Sequence, residues 1–550
     1  MRDSTQLVVL AFWCVVLLGV PFWWKTTEVY RARLPFNDID SWKERHDSTF
    51  ILPTTINLYV PEELSHPDSK INIEDLSTYL ENQLSKEFKN VSPCVTFPIH
   101  IQVNPWSTAD ITKDNLDTIL QKHSDAPVGQ YFLYLHSSNI IVSKSKQESV
   151  NAIIGNSRSS VIQLREIKED DIKTLILSLV PAIFKPEFTA LGDIACPSVN
   201  VDKYDANSMR TFKYSSRYQV TISLMNDNPK SLAVDWDIRG AVKSYLYPLL
   251  KELSDVSNFT VDSQIQNYAP LSQTPRYMER IGKPDYFYFT PEQLPHFVNS
   301  ADWNLASSIS SYPTINFILY IPSDNVTPLR IHDSHGKPLL SNSFLIPRWG
   351  GVTIKNPPKN VTSGSHYSMT KTDLQPIMKI FISQLRSLVG VQDVKSSSAL
   401  HLLLSTHSGI TTLEKDNLVR RRIMENIINS ISTLHSLSQL VLEIPNMVVL
   451  DHIQYQVRES LESIQSARDE LENGNYGKAL KHSIDAIELS EKAFFDPTMV
   501  SMLYFPDEHK YAIYMPLFVP ISVPLCMALI KTLKKRRSSS LPLSEEAKNK

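Results

Sequence analysis

Glycine is scarce in this chain, and neither sign of charge is in clear excess. The 550 residues include 14 glycines, far below the roughly 7% that is usual in proteins. This shortage argues against glycine-rich phosphate loops, and the sequence has neither a Walker A motif nor a dinucleotide-binding fingerprint. The 55 basic and 58 acidic residues leave a net charge of −3. The chain therefore lacks the positive footprint of a nucleic-acid-binding protein.

Cysteine is the other rare residue, with four in the whole chain. Cys14 and Cys526 lie in apolar segments, which leaves Cys94 and Cys196 for the rest of the molecule. A disulfide between these two would add about 4 kcal/mol by restricting the unfolded chain, and two buried free thiols are the equal alternative. Two cysteines are too few for a zinc ribbon. Neither VSPCVTF nor DIACPSV matches the cysteine motifs of caspases or papain-like proteases.

Two long apolar segments stand out against this balanced background. The first, Leu7–Trp24, is too long for the apolar region of a cleaved signal peptide, and bulky PFWWK stands where a small-residue cleavage site would be needed. The second, Tyr511–Ile530, has about the 20 residues that a membrane-spanning helix requires. We therefore predict two transmembrane helices, at residues 7–24 and 511–530.

Basic residues and glycosylation sequons orient these two helices. A basic cluster directly follows the second one and places the C-terminus in the cytosol; it consists of Lys531, Lys534, Lys535, Arg536 and Arg537. The N-x-S/T sequons all lie between the two segments; they are Asn90, Asn258, Asn325 and Asn360. We therefore predict that residues 25–510 lie in the lumen of the secretory pathway and that residues 1–6 and 531–550 are cytosolic.

The same cytosolic basic residues are the predicted lipid contacts. Each positive charge near an anionic membrane surface contributes about 1 kcal/mol. The residues predicted to contact lipid head groups are Arg2, Lys534, Lys535, Arg536 and Arg537. Any membrane protein with a basic tail shares this property, so it does not discriminate between functions.

The lumenal region begins as a mixed α/β pattern. Runs rich in β-branched and aromatic residues predict strands, and apolar residues at helical spacing predict helices between them. The predicted strands are residues 55–60, 131–135, 139–143 and 218–225, followed by FTVDSQIQ, TINFILYI and GVTIKN. The predicted helices are residues 173–184, 235–256 and 369–390. We predict two mixed lobes, at residues 25–210 and 211–410.

Strand signals disappear after residue 410, and a helical segment extends from residue 411 to residue 510. Helical patterns follow one another there, separated by Pro445 and by the turn ENGNYG. Two amphipathic helices across such a turn predict an antiparallel hairpin, in which Gly474, Tyr476 and Ala479 resemble one tetratricopeptide unit. One unit cannot bury its apolar face alone, so we expect it to pack on the α/β region or on a partner.

The stretch before the second apolar segment concentrates methionine and aromatic residues. Asp496-Pro497 predicts a helix start, and Pro506 ends that helix. Such apolar surface is typical of docking sites, and the predicted docking residues are Phe494, Phe495, Met499, Met502, Leu503 and Phe505. A collar at the membrane interface is the alternative, but it explains the tyrosines of this stretch better than its methionines.

Prolines recur at every fourth position of the second apolar segment, as Pro516, Pro520 and Pro524. They lie on one helix face and leave carbonyl groups of the preceding turns without donors. Such groups need partners from neighbouring helices in lipid, so we add these prolines to the predicted docking residues; a kinked lone anchor is the alternative. Trp349 is a further candidate, because two glycines follow it. Close approach of a partner and a tight turn both explain those glycines.

One local cluster has metal-binding residue types: His332, Asp333 and His335 in IHDSHG. No further ligand set accompanies it, so we interpret it as a polar loop beside a turn. We predict no metal site, no cofactor and no catalytic residue.

Several long blocks of this sequence resemble one protein family. They are LGVPFWWKTTEVYRARLPF, VDWDIRGAVKSYLYPLL, PRWGGVTIKNP, IPNMVV and AFFDPTMVSMLYFPDEHKYAIYMPLF. The chain resembles the PIG-S subunit family of the glycosylphosphatidylinositol (GPI) transamidase, with the blocks in order and both apolar segments in the matching places. Residues 61–209 are the least family-like part.

The resemblance implies a place in an endoplasmic reticulum membrane complex that joins a precursor protein to the GPI ethanolamine. In that family the catalytic cysteine and histidine belong to a different, caspase-like subunit, and the PIG-S subunit is an accessory, structural one. The expected partners are the other transamidase subunits, membrane lipids and GPI itself as a candidate. Two alternatives remain: a lumenal cysteine-dependent hydrolase or transferase that uses Cys94 or Cys196, and a receptor for precursor proteins.

Overall fold

The chain forms two compact units in the computed structural model. The terminal unit comprises Met1–Lys43, Ser430–Glu462 and Glu488–Lys550, and the α/β unit comprises Glu44–Asn429 and Ser463–Ile487. The structure describes residues 2–27, 30–44, 50–62, 73–89, 91–107, 116–136, 150–155, 157–163, 169–196, 210–282, 284–298, 303, 305, 312–358, 364–394, 400–404, 408–444, 447–501 and 507–539.

The first sheet of the α/β unit has six strands in the order β18-β6-β7-β5-β2-β4. They are β2 (Thr54–Pro61), β4 (Ile99–Trp106), β5 (Gln130–His136), β6 (Val150–Ile154), β7 (Ser159–Gln163) and β18 (Leu400–Leu404). All neighbours are parallel except β6 and β7. The central strand β5 is buried along almost its whole length, as expected where both faces of a parallel sheet are covered.

The strand predictions at residues 55–60 and 131–135 are confirmed, and the one at 139–143 lies outside the described residues. Two short strands, β1 (Phe50–Ile51) and β3 (Val95–Thr96), pair with each other in parallel, and each precedes a strand of the six-stranded sheet in the sequence. β18 comes from the predicted second lobe but pairs with β6. This sheet therefore contains residues from both sides of the predicted lobe boundary at residue 210. The boundary itself stays a prediction.

Amphipathic helices accompany the first sheet. Helix α3 (Ile73–Phe88) buries Leu76, Leu80, Leu84 and Phe88 at every fourth position, which is the spacing of one helix face. Helix α4 (Leu116–Gln121) is short, and α5 (Glu169–Ala195) is long and contacts α3. The prediction of a buried helix at residues 173–184 is confirmed within α5.

The second sheet has five strands in the order β10-β8-β13-β16-β15. They are β8 (Arg217–Asn226), β10 (Asn258–Asn267), β13 (Thr314–Ile321), β15 (Ser343–Ile346) and β16 (Gly350–Ile354). A smaller sheet of β11 (Arg276–Met278), β12 (Tyr286–Phe289) and β14 (Leu329–Ile331) shares a core with it around fully buried Trp303. A further pair joins β9 (Leu232–Trp236) to β17 (Ser365–Met369). The mixed α/β prediction is confirmed.

The predicted helix at residues 235–256 is broken into pieces. Helix α6 (Ile238–Ala241) leads into a π-helical turn at Val242–Leu246, then into α7 (Tyr247–Glu252) and a 3₁₀ turn at Leu253–Asp255. Pro248 has no N–H to donate to Ser244, and its ring crowds that carbonyl. The helix widens there, and the Tyr247 N–H donates to the Val242 carbonyl five residues back.

Helix α8 (Lys371–Val389) has the ends that its sequence predicts. The Thr370 hydroxyl accepts a hydrogen bond from the Asp373 N–H, and the Asp373 carboxylate accepts one from the Thr370 N–H, which is a capping box. Gly390 ends the helix with a left-handed φ of 88°, a conformation that glycine adopts at little cost. Its buried face packs on β16.

The C-terminal part is helical, as predicted. Its helices are α9 (Thr412–Glu443), α10 (Asp451–Glu472), α11 (Tyr476–Phe494), α12 (Pro497–Ser501) and α13 (Asp507–Ser539). The turn between α10 and α11 contains Gly474 at a φ of 73°. The N-terminal part of the chain forms α1 (Arg2–Thr27) and α2 (Phe36–Glu44).

The predicted transmembrane segments lie within helices, at residues 7–24 of α1 and 511–530 of α13. In the described part of the chain, only residues 170–195 of α5 form a helix long and apolar enough to cross a membrane, and half of that segment is buried in the protein. It is therefore a core helix by its packing. Residues 518–531 of α13 form a shorter apolar helix. The two-span topology stays a prediction.

Gly350 and Gly351 are required by packing inside the α/β unit. A Cβ atom on Gly350 would lie 1.8 Å from the backbone oxygen of Asn316 on the neighbouring strand. A Cβ atom on Gly351 would lie 2.1 Å from the Gln384 Oε1 atom of α8. Both glycines are explained without a partner protein, because strand β16 touches its neighbours with its backbone.

Replacing Gly350 by alanine is expected to destabilise the α/β unit by about 3 kcal/mol, because a backbone oxygen cannot move aside for the new methyl group. Gly477→Ala is the matched control, since no atom lies within 4 Å of the added Cβ and alanine favours a helix over glycine by about 1 kcal/mol. Urea unfolding of the detergent-solubilised chain measures both. Equal midpoints for the two variants would contradict the close approach of these strands.

Candidate functional site

The chain that follows α1 is fastened to the junction between α9 and α10 in the terminal unit. The Tyr30 hydroxyl donates to the Asp451 carboxylate at 2.6 Å. The Ala32 N–H donates to the Val449 carbonyl at 2.8 Å, and the Arg31 guanidinium donates to the Ile444 carbonyl at 3.0 Å and also to the Val441 carbonyl. These contacts connect residues that are more than 400 positions apart in the sequence.

The same unit holds the start of the predicted docking stretch. The Asp496 carboxylate accepts hydrogen bonds from the Thr498 N–H at 2.9 Å and from His452 of α10 at 2.7 Å. Burial alone would raise the pKa of Asp496, but its bonds with Thr498 and His452 outweigh burial and lower it. Asp496 therefore caps α12 as the sequence predicts, and it also links that helix to α10.

Three family-like blocks meet in this unit. They are the residues that follow α1, the IPNMVV junction, and the stretch that leads into α13. Helices α1 and α13, which contain the predicted transmembrane segments, also contact each other. These contacts can therefore act as a clamp on the chain that follows α1 and on the start of α12. We call them the terminal clamp, formed by Tyr30–Arg33, Val441–Ile444, Met447–Gln454 and Asp496.

The predicted docking residues divide by exposure. Phe495 is 73% exposed, and its ring lies 5.0 Å from the half-buried ring of Phe494 in an edge-to-face contact. Met499 is buried, at 1% exposure, so its predicted place on an exposed surface is wrong. The reason is that α12 turns this position inward after the Asp496 cap. Met502, Leu503 and Phe505 lie outside the described residues.

The remaining predicted contacts lie on α1, α13 and β16. Pro516, Pro520 and Pro524 are exposed on α13, together with neighbouring apolar side chains. Lys534 is exposed, and Arg2, Lys535, Arg536 and Arg537 lie in helices but their side chains fall outside the described part. Trp349 is half-buried and packs against the core around Trp303, so much of its ring is used within the chain.

A buried charge cluster lies in the α/β unit around Arg420 of α9, which is fully buried. Its Nε and Nη2 atoms donate to the two carboxylate oxygens of Glu187 at 2.6 and 2.8 Å. Its Nη1 atom donates to the Tyr131 hydroxyl at 3.0 Å, and its guanidinium lies 5.8 Å from the ring of Tyr476. One side chain thus connects β5, α5, α9 and α11.

The two charges of this cluster shift each other's pKa. Burial raises the pKa of Glu187 above its ordinary value, and attraction and hydrogen bonding from Arg420 offset part of that rise. Burial alone would lower the pKa of Arg420, but Glu187 outweighs it and raises the pKa well above the ordinary value. Tyr476 also donates from its hydroxyl to the Pro53 carbonyl at 2.8 Å, so the tetratricopeptide-like residue packs on the α/β unit.

Two further ion pairs join the start of α9 to the turn between β6 and β7 and to α8. Asp416 accepts two hydrogen bonds of 2.7 Å from Arg158. Glu414 accepts from Arg386 of α8 at 2.7 Å. This role of α9 is not apparent from the sequence, because a run such as RRR ordinarily marks a solvated face, and its partners lie far away in the chain.

Cys94 and Cys196 form a disulfide with their Cα atoms 6.0 Å apart. Among the described residues the free cysteines are Cys14 and Cys526, in α1 and α13. The sequons Asn258 and Asn325 are exposed, whereas Asn90 and Asn360 lie outside the described residues. Use of these sequons stays a prediction.

The IHDSHG cluster has structural partners. The buried His332 ring stacks on Tyr288 with centroids 4.1 Å apart and hydrogen-bonds the Tyr286 hydroxyl at 3.0 Å. Burial lowers the pKa of His332. Asp333 accepts from the His335 and Lys337 N–H groups at 2.9 and 2.8 Å, which closes a turn. No group of three or more metal-ligating side chains occurs within the described ranges.

Comparison with known proteins gives one consistent family. Residues 10–539 match the family model described as PIG-S, phosphatidylinositol-glycan biosynthesis class S protein. The chain is 32% identical to the GPI-anchor transamidase component PIGS of Bos taurus, over 96% of this chain and 94% of that protein. It is 31% identical to the human protein of the same name, over 95% and 94%. It is 25% identical to the GPI transamidase component GPI17 of Saccharomyces cerevisiae, over 96% and 91%.

Proposed function

The chain belongs to the PIG-S family, and from that premise we propose that it serves the GPI transamidase as a non-catalytic structural subunit. It is a component of the complex that attaches GPI anchors to proteins. The observation that carries the proposal is the agreement with the family over residues 10–539. Its partners are the other subunits of that complex.

The terminal clamp gives this proposal a physical basis. A subunit held by two helices can position a large domain only if the two helix ends are fixed relative to that domain's attachment points. The hydrogen bonds of Tyr30, Ala32 and Arg31 to the α9–α10 junction provide such fixation in the terminal unit. Exposed Phe495 and the exposed prolines of α13 then supply apolar surface for neighbouring subunits.

We also propose the two-span topology, with residues 25–510 in the lumen of the endoplasmic reticulum and both termini in the cytosol. The apolar residues exposed along α1 and α13 support it, among them Leu17 and Leu18 of α1 and Ile521 and Val523 of α13. Protease digestion of sealed microsomes tests it: digestion of the α/β unit from the cytosolic side would overturn this topology.

The cysteine-dependent enzyme is the weaker alternative. A thiol nucleophile must be a free thiolate, whereas the sulfur atoms of Cys94 and Cys196 are bonded to each other. The receptor hypothesis differs only in what the α/β unit contacts, and crosslinking of that unit to a trapped precursor would favour it. For the structural role, purification of the assembled transamidase with full activity in the absence of this chain would be decisive against it.

Replacing Phe495 by aspartate is expected to reduce co-purification of the partner subunits at least tenfold, because a carboxylate would be buried without a partner in an apolar contact. The matched control is Tyr455→Asp in the same unit, at a residue that is 62% exposed and outside both the docking stretch and the terminal clamp. Quantitative immunoblots of the detergent-purified complex measure both. Normal recovery with Phe495→Asp would remove Phe495 from the docking surface.

A further inference from the structure

The small sheet of the α/β unit carries an exposed row of arginine and tyrosine side chains. Arg276 of β11 lies directly opposite Tyr288 of β12, and Tyr288 lies directly opposite Arg330 of β14. Side chains at paired positions share one face of a sheet. The opposite face contributes Phe289, Leu329 and Ile331 to the core, so the row faces away from the core.

Aromatic stacking holds the rings beneath these charges in place, and we call these rings the platform. The guanidinium carbons of Arg280 and Arg330 lie 4.7 and 5.4 Å from the ring centroid of Tyr286. The Tyr286 hydroxyl is hydrogen-bonded to His332, whose ring stacks on Tyr288. Tyr286 and His332 are buried, and Tyr288 is half-buried. The rings are therefore held in place by one another, with two positive charges beside one of them.

The guanidinium groups keep hydrogen-bond donors for a ligand. Arg276 and Arg330 are exposed, and within the described ranges neither donates a hydrogen bond or forms an ion pair with a carboxylate. A guanidinium stacked on a ring retains its in-plane N–H groups for an oxyanion. Arg280 uses its Nε and Nη2 atoms on the Pro284 carbonyl, so it contributes mainly charge.

The acidic groups beside the row are held by hydrogen bonds of their own. Asp285 is held at the adjacent hairpin by the Tyr277 hydroxyl at 2.8 Å and by the Arg280 N–H at 2.8 Å. Asp333 closes its own turn. A hydrogen bond from the Thr290 side chain lowers the pKa of Glu292, and attraction to Arg276 adds to that shift. Three guanidinium groups thus share this face with carboxylates that are each engaged by hydrogen bonds of their own.

We propose that this face, formed by Arg276, Arg280, Tyr286, Tyr288 and Arg330, binds the phosphate of a phosphorylated sugar. Arg276 and Arg330 are two strands apart, about 10 Å between Cα atoms, so their long side chains can converge above Tyr288. Two converging guanidinium groups offer more N–H donors than the two oxygens of one carboxylate can accept. A phosphate group presents three oxygens and a larger charge. The half-buried tyrosine ring beside them fits the apolar face of a sugar. The choice of a phosphorylated sugar rests on the proposed function, since a GPI anchor is a phosphate-bearing glycan.

Ligand-detected phosphorus NMR tests the site on the detergent-purified complex, in a detergent without phosphate. The observed probes are mannose 6-phosphate and inorganic phosphate, and mannose and a hexaglutamate peptide are measured as competitors of mannose 6-phosphate at one ionic strength. We expect R276A/R330A to weaken mannose 6-phosphate binding roughly 100-fold, since each lost arginine removes charged hydrogen bonds to the phosphate. R276K/R330K should restore only part of the affinity, because lysine lacks the fork. R217A is the matched control, as Arg217 lies 5.2 Å from the ring of Tyr312 in the same unit.

Each outcome decides the proposal. Unchanged binding in R276A/R330A, or equal loss in R217A, would overturn the site. Tighter binding of hexaglutamate than of mannose 6-phosphate would overturn the ligand class, and equal binding of inorganic phosphate would overturn the sugar platform. Co-purification of the other subunits is measured in the same preparations. If it stays normal while phosphate binding is absent, the inference fails and the structural role stands.

Discussion

Replacing Arg420 by methionine is expected to destabilise the α/β unit by about 3–5 kcal/mol, because it leaves the carboxylate of Glu187 buried without its partner. Both side chains are almost fully buried, at 0% and 3% exposure, and share two hydrogen bonds of 2.6 and 2.8 Å. The loss would separate β5, α5, α9 and α11, which meet at this guanidinium. Urea unfolding of the full chain in detergent measures the change.

The pH dependence of this variant has a defined sign. Burial raises the pKa of Glu187, and Arg420 is what offsets that change. Without Arg420 the rise caused by burial is larger, so the pKa of Glu187 in the folded state lies further above that of the unfolded chain. R420M should therefore lose the least stability at low pH, and it should lose more as the pH rises through the folded pKa.

Two controls separate this effect from general damage. The double variant R420M/E187L should recover most of the stability, because a well-packed apolar pair replaces the buried ion pair without an orphan charge. Lys185→Met removes an ion pair of equal length, 2.6 Å to Glu87, between half-exposed side chains, and it should cost less than about 1 kcal/mol. If R420M behaves like Lys185→Met, the buried pair does not organise the unit.

Removal of the Cys94–Cys196 disulfide by the double variant C94S/C196S is expected to cost about 4–5 kcal/mol of stability. The two residues are 102 positions apart, and closing a loop of about 100 residues restricts the unfolded chain by this amount. The bond joins the segment after α3 to the end of α5. Urea unfolding under oxidising conditions measures the loss.

A reductant provides the internal comparison. Wild type treated with reductant should unfold at the midpoint of C94S/C196S, whereas the variant itself should be insensitive to it. Cys526→Ser, which removes a free cysteine from α13, should change nothing. An unaffected C94S/C196S would show that the native segments around these residues hold together without the bond. A loss of transamidation with unchanged stability would instead revive the cysteine-dependent enzyme.

Local chemistry made much of the fold predictable. The strands at residues 55–60 and 131–135 carry β-branched and aromatic residues in short runs, and α8 carries its start and stop signals at Thr370 and Gly390. Asp496 caps α12 through an interaction within two residues. Signals of this kind act between neighbours in the chain, so no knowledge of the tertiary structure was needed. The helix predicted at residues 235–256 is present at residues 238–255, where one proline widens it locally into a π-helical turn.

The sequence predicted only some of the exposed residues of the candidate site correctly. Phe495 is exposed as expected, whereas Met499 of the same stretch is buried, because the turn of α12 decides which apolar residues face outward. Trp349 was chosen for its glycines, but those glycines serve the packing of β16 on β13 and α8. Apolar side chains prefer to be buried. The sequence does not show whether such a side chain is buried by its own chain or by a partner.

The sequence by itself determined the family, through the long blocks that resemble it. It also determined the mixed α/β character, the helical C-terminal part and the two apolar segments, because periodicity and composition are properties of consecutive residues. The tertiary structure alone decided that Arg420 meets Glu187 and that Tyr30 meets Asp451, pairs separated by 233 and 421 positions. It also decided that Arg276, Tyr288 and Arg330 form one row. Such pairings depend on which strands and helices become neighbours when the apolar surfaces are buried, and no local pattern of residues encodes that choice.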